Sequence, residues 1–127
     1  MTRIAINGFG RIGRGVFKAG LEKKGFEVVG INDLTDTKTL AFLLSHDTAY
    51  GHWNVPVSYT KDALIVGGKR IPVFAEKDPA VLPWGKVKAE VVLECTGRFR
   101  DYEKASAHLK AGAQRVIISA PADDKKV

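Results

Sequence analysis

The sequence predicts an α/β fold, a doubly wound and mainly parallel sheet with a short antiparallel excursion. Three observations lead there. Four runs, Ile4–Ile6, Val28–Ile31, Val91–Leu93 and Val116–Ile118, are rich in β-branched residues and continuously apolar rather than alternating. Such runs suit parallel strands buried on both faces. Segments with helical spacing lie between them, which makes βαβ units. A middle stretch then departs from this rhythm with three short strand-like runs close together.

The first strand, Ile4–Ile6, runs into Asn7-Gly8-Phe9-Gly10-Arg11-Ile12-Gly13. Gly8, Gly10 and Gly13 spell G-x-G-x-x-G, a weak pattern alone but a specific one between a buried strand and an amphipathic helix. The offsets have a chemical reason. Gly8 permits the tight turn, Gly10 bares the backbone to a pyrophosphate, and Gly13 lets helix and strand pack closely. The helix start adds unpaired N–H groups and the positive end of its dipole. That helix is predicted over Arg11–Lys23, with Ile12, Val16, Phe17 and Leu21 on one face. The second strand, Val28–Ile31, leads to Asn32-Asp33, and Asp33 stands 20 residues after Gly13. A dinucleotide site places an acid at that distance to bind ribose hydroxyls, and a carboxylate there repels a 2′-phosphate. The pairing predicts a Rossmann-type domain that binds NAD rather than NADP.

Asp36 is read as the cap of a helix through Leu40, Leu43 and Leu44. Val55–Tyr59, Ala63–Val66 and Arg70–Phe74 are the strands of the antiparallel excursion, with Gly67-Gly68 as a hairpin turn. Asp78-Pro79 and Leu82-Pro83 mark turns before Val91–Leu93. A third helix is expected over Asp101–Ala111, capped by Asp101, with Tyr102, Ala105 and Leu109 inward and Gly112 as its stop.

Composition limits the classes. The 127 residues suit one domain, 1–127, and 45% hydrophobic with 27% charged residues suits a soluble globular one. No apolar run reaches the length of a membrane span, no secretory h-region opens the chain, and a single cysteine forms no internal disulfide. A cytoplasmic protein is expected. The net charge of +6 favours anionic partners. The basic residues are scattered, without a nucleic-acid-binding motif, so nucleic acid stays a secondary reading and no membrane partner is expected.

These residues also carry a resemblance. The run Ile4-Ala5-Ile6-Asn7-Gly8-Phe9-Gly10-Arg11-Ile12-Gly13-Arg14, followed by Gly30-Ile31-Asn32-Asp33-Leu34, resembles the start of phosphorylating glyceraldehyde-3-phosphate dehydrogenases. The likeness continues through Leu43-Leu44-Ser45-His46-Asp47-Thr48, Ala75-Glu76-Lys77-Asp78-Pro79, Glu94-Cys95-Thr96-Gly97 and Val116-Ile117-Ile118-Ser119-Ala120-Pro121. Erythrose-4-phosphate dehydrogenases share much of it, and a stand-alone nucleotide-binding module is a further alternative. The resemblance implies that Arg11 and Ile12 offer backbone contacts to the pyrophosphate and that Asn7 sits beside the phosphate turn. It implies Asp33, followed by Leu34, at the adenosine ribose and Lys77 at the adenine pocket. It places Thr96 and Gly97 near the cofactor at the end of the fourth parallel strand, and Ser119 on the nicotinamide side.

Members of that family are more than twice as long, and their catalytic half holds the cysteine nucleophile and the histidine base. The sequence stops at Asp123-Asp124-Lys125-Lys126-Val127 without that half. The expectation is therefore an NAD-binding domain alone, without catalysis. The whole enzyme is a homotetramer in that family; the isolated domain is expected to self-associate by a different interface and to hold the nicotinamide end loosely.

The other chemically tempting residues receive structural readings. Cys95, at the end of a strand with no neighbouring histidine, is read as a buried thiol. His46, His52 and His108 have no zinc-ligand spacing, and no metal is expected. His108 is placed on the exposed side of its helix, and His46-Asp47 at a helix end or facing a partner subunit. Arg14 either reaches a phosphate or is solvated. Trp53 and Trp84 are packing residues.

Overall fold

The computed structural model describes residues 2–23, 26–46, 55–96 and 106–118. Gly97, Ser119, His52, Trp53, Asp47, Asp101, Tyr102, Ala105 and the segment 123–127 lie outside the described residues.

The chain forms β1 (Thr2–Asn7), α1 (Arg11–Lys23), β2 (Phe26–Asn32), α2 (Thr37–Ser45), β3 (Val57–Thr60), β4 (Ala63–Val66) and β5 (Lys69–Phe74). A 3-10 turn (Pro79–Val81), β6 (Val91–Glu94), α3 (Ala107–Lys110) and β7 (Arg115–Ile118) follow. The strands make one seven-stranded sheet in the order β3-β4-β5-β2-β1-β6-β7. The pairs β1–β2, β1–β6, β2–β5 and β6–β7 are parallel, and β3–β4 and β4–β5 antiparallel. The antiparallel excursion is thus continuous with the main sheet, because β5 returns to lie parallel beside β2. The β4–β5 turn has φ of +57° at Gly67 and +83° at Gly68, the mirror-image turn that suits twisted hairpins.

Apolar residues fall on both faces of β1, which explains its continuous pattern. Ile4 and Ile6 enter one core with Phe9, Phe17, Ile31, Leu40 and Leu44, beneath α1 and α2. Ala5 enters a second core with Leu82, Trp84, Ala89, Val92 and Ala113. This second face is covered by the irregular segment Leu82–Ala89 and by α3, the described part of the helix expected over Asp101–Ala111. β7 also departs from the two-sided burial read for Val116–Ile118: Ile117 is 55% exposed on this edge strand.

Two helices turn differently from their predicted faces. In α1 the buried residues are Gly13, Arg14, Phe17 and Gly20, whereas Ile12 and Leu21 are exposed. Glycine decides this. With no side chain at Gly13 and Gly20, the helix packs so close that a Cβ would overlap the Gly8 carbonyl and crowd Ile6 at Gly13, and would run into the Phe26 ring at Gly20. In α3 the inward residue is His108, fully buried, and Leu109 is 41% exposed. α2 follows its expectation. The Asp36 carboxylate accepts from the Thr39 N–H at 2.7 Å, and Leu40 and Leu44 are buried.

β2 carries an irregularity. Ile4 pairs with Val28 but Ala5 with Gly30, so β2 has one extra residue at Val29. Beyond this bulge Asn7 lies beside Asn32.

Candidate functional site

The carboxyl ends of β1, β2 and β6 meet in a crevice of about 270 Å³ lined by Asn7, Gly8, Gly10, Asn32, Asp33, Leu34, Glu76, Lys77, Cys95 and Thr96. This is where open α/β sheets place ligands. β1 lies between β2 and β6, so the β1–α1 turn sits over the junction.

That turn is built as its glycines predict. Gly8 has φ of +95°, and a Cβ there would meet the Thr96 backbone N at 2.8 Å. A Cβ at Gly10 would meet nothing within 4 Å, so the backbone is bare on the crevice side. At Gly13 a Cβ would collide with the Gly8 carbonyl. Phe9 puts its side chain into the core, edge-on to Phe17 at 5.7 Å. Only its backbone belongs to the turn, and its N–H donates to Asp33 Oδ2 at 2.7 Å. Asp33 Oδ1 accepts from the Thr35 N–H at 2.9 Å. The acid at the end of β2 is thereby fastened to the glycine turn, with each oxygen retaining a second lone pair.

Of the two readings of Arg14, the solvated one fails. It is buried, and its guanidinium donates back to the Phe9 carbonyl at 3.0 Å, bracing the turn. Arg11 and Ile12 are exposed at the first turn of α1, whose initial N–H groups have no intrahelical acceptor. Leu34 and Lys77 flank Asp33 on the exposed wall. Cys95 is half-buried at the crevice rather than sealed in the core.

Below the crevice runs a row of polar side chains whose mutual hydrogen bonds the sequence reading did not anticipate. Glu94, 1% exposed, accepts from Asn7 Nδ2 at 2.7 Å, from His108 Nε2 at 2.7 Å, and from the backbone N–H and hydroxyl of Thr96 at 3.1 and 2.5 Å. Burial is the largest influence on this carboxyl and works to raise its pKa. Hydrogen bonds from His108, Thr96 and Asn7 outweigh it and hold the group below its ordinary value. Asn7 Oδ1 accepts from Asn32 Nδ2 at 2.7 Å, and Asn32 also donates to the Glu76 carbonyl and accepts from its N–H. On the other side, Trp84 Nε1 donates to His108 Nδ1 at 3.0 Å. His108 was expected on the exposed side of a helix; two polar partners make its burial affordable. The row had one visible signal: Asn7, Asn32 and Glu94 are each the polar last residue of a strand, directly after an apolar residue.

A glycine-rich strand-to-helix turn, bonded to an acid at the end of the adjacent parallel strand, defines a dinucleotide-binding α/β domain. Residues 2–102 match the family described as glyceraldehyde 3-phosphate dehydrogenase, NAD binding domain. The chain belongs to that family, whose cofactor is NAD. It is 54% identical over 127 residues to glyceraldehyde-3-phosphate dehydrogenase 1 of Bacillus cereus, covering 100% of this chain and 38% of that protein. It is 55% identical over 122 residues to the glyceraldehyde-3-phosphate dehydrogenase of Clostridium pasteurianum, covering 96% of this chain and 36% of that protein. For the enzyme of Thermotoga maritima the identity is 54% over 129 residues, covering 100% and 39%. The chain thus spans well under half the length of these relatives. Among the described residues no helix is long and apolar enough to cross a membrane.

Proposed function

We propose that the crevice holds NAD, with the adenosine against Asp33, Leu34 and Lys77. The pyrophosphate lies over Gly8, Gly10 and the first N–H groups of α1 at Arg11 and Ile12. The nicotinamide half extends past Asn7 toward Thr96. Gly13 and the Phe9 side chain serve by packing. The observation that carries the reading is the bond from the Phe9 N–H to Asp33, which places the ribose acid and the phosphate turn on one rigid unit. The bare backbone at Gly10 fits a pyrophosphate, and the fixed carboxylate fits a ribose diol but not a 2′-phosphate.

The relatives named glyceraldehyde-3-phosphate dehydrogenase support a part for this chain in an NAD-dependent oxidation of that aldehyde; the finer reading is oxidation to an acyl phosphate, in the cytoplasm. This chain supplies the cofactor site for that reaction. Bound NAD would accept the hydride; the residues of this chain orient the cofactor and hold its phosphates. Calorimetry tests the assignment. The chain should bind NAD and discriminate against NADP, and Asp33→Ala should weaken NAD binding by about tenfold, the loss of one to two charged hydrogen bonds. Equal affinity for NAD and NADP in the unsubstituted chain would remove Asp33 from the site.

A further inference from the structure

We propose that Asn32 is a positioning residue for the adenosine half of the crevice: its buried carboxamide clasps the backbone of Glu76 and so holds the exposed wall that carries Lys77. The inference rests on the crevice being an NAD site with its adenosine at that wall. It concerns a side chain that acts on the cofactor through another residue.

The need for a clasp follows from where the sheet ends. β2 and β5 pair at two positions, Ile31 with Val73 and Asn32 with Phe74. One further bond, from the Asp33 N–H to the Phe74 carbonyl at 2.9 Å, closes the ladder. Beyond it the two chains part. Asp33 goes to the glycine turn, where its carboxylate meets the Phe9 N–H. The chain after β5 runs out into residues 75–78, all of them exposed. Among the described residues, the other bonds of this stretch are local: the Asp78 carboxylate accepts from the Ala80 N–H, and the Asp78 carbonyl from the Val81 N–H. An exposed stretch without a ladder opens at low cost unless something ties it down.

Asn32 supplies the missing ladder with its side chain. Its Oδ1 accepts from the Glu76 N–H at 2.9 Å, and its Nδ2 donates to the Glu76 carbonyl at 3.0 Å. Both backbone groups of one residue thus go to one partner, as in the hydrogen-bonded pairs of an antiparallel sheet. The orientation of the carboxamide is fixed from the other side. Asn7 gives its NH2 to the Glu94 carboxylate, so its oxygen faces Asn32, and Asn32 must point its NH2 at that oxygen. The two Nδ2 protons are then spent, on Asn7 and on Glu76, and Asn32 has none to give a ligand. It is 4% exposed, whereas Glu76 and Lys77 are exposed and line the crevice.

The residue type follows from this double duty. An apolar side chain would release both Glu76 groups to water. An aspartate would set unprotonated oxygens against the Asn7 oxygen and the Glu76 carbonyl. A wall released in this way must be ordered by the ligand, and the cost of ordering is subtracted from affinity. A wall clasped in advance receives the adenosine without that cost. Every ligand that carries the adenosine half should therefore depend on the clasp equally, whatever follows its phosphate.

Amide hydrogen exchange followed by NMR on the full chain reads the clasp itself, and calorimetry with NAD and with AMP, which lacks the nicotinamide half, reads its consequence. In the unsubstituted chain the Glu76 amide should be protected although its residue is exposed; a freely exchanging Glu76 amide overturns the inference with no variant needed. In Asn32→Ala, with circular dichroism confirming the fold, the Glu76 amide should lose its protection while the amides of β1 keep most of theirs. Equal losses at Glu76 and in β1 would mark a general structural role and overturn the proposal. NAD and AMP should weaken alike, by about tenfold, as expected when two hydrogen bonds that pre-order the site are lost. Weaker binding with Glu76 still protected would make Asn32 a direct ligand contact, and unchanged AMP affinity with Glu76 released would disconnect the clasp from the site. Either result overturns the inference and leaves the NAD site standing. Failure of the unsubstituted chain to bind NAD overturns both.

Discussion

A methyl group added at Gly13 would run into the Gly8 carbonyl, whereas one added at Gly10 meets nothing within 4 Å. Two glycines of one motif are thus present for different reasons, and substitution separates them. Gly13→Ala should destabilise the fold by about 1–3 kcal/mol, the usual cost of overpacking against backbone. Gly10→Ala should leave the melting temperature unchanged and weaken NAD binding, because its Cβ enters space that only a ligand would fill. Thermal melts with and without NAD distinguish the two. At this scale the sequence was informative about Gly8, Gly10, Gly13 and Asp33, because their offsets encode geometry directly. It was silent about Arg14, whose bond to the Phe9 carbonyl depends on a turn that no spacing describes.

Among the elements, α2 shows local coding at its simplest. Asp36 satisfies the Thr39 N–H at the open end of the helix, and its partner is three residues away. Asp36→Ala should lower the melting temperature by a few degrees without changing affinity for NAD, since the cap is remote from the crevice. α3 shows the opposite. Its amphipathic reading turned Leu109 inward, as hydrophobicity alone would, yet His108 is the buried residue. The partners that permit this, Trp84 and Glu94, lie 24 and 14 residues away on other elements. Periodicity cannot register a polar residue whose hydrogen bonds are supplied from a distance. The same limit applies to α1, where Gly13 and Gly20 determine the face in contact with the sheet although they carry no hydrophobic signal.

For the molecule as a whole, alternation of strand and helix was enough to predict the parallel sheet, but not how the second face is covered. Trp84 and the irregular segment around it do that, and irregular backbone has no period to read. Charge acts at this scale too. Glu94, Asp36 and Glu27 all have carboxyls held below their ordinary values, by the bonds described for Glu94 and Asp36 and by Lys69 for Glu27. The unfolded chain therefore binds more protons than the folded one in the acidic range. Stability should be flat above the ordinary carboxylate value near 4.5 and fall as the pH drops through it and below. The chain's formal charge of +6 at neutral pH grows as carboxylates are protonated and adds self-repulsion to this loss. Urea titrations from pH 7 to pH 3 check the sign, and Glu94→Gln should flatten part of the slope.

The bulge at Val29 makes the number of residues in β2 a functional quantity. If Val29 paired in regular register instead of bulging, the register that pairs Ile4 with Val28 would continue and set Asn7 beside Ile31. The strand would still form its ladder and keep an apolar composition. Its alternation would be reversed from that point on, turning Asn32 away from Asn7 and Asp33 away from the glycine turn. Substitutions along β2 are thus a matter of packing, while the bulge decides which residues stand at the strand's end, and a β2 paired without it would leave a sheet with no place for its ligand.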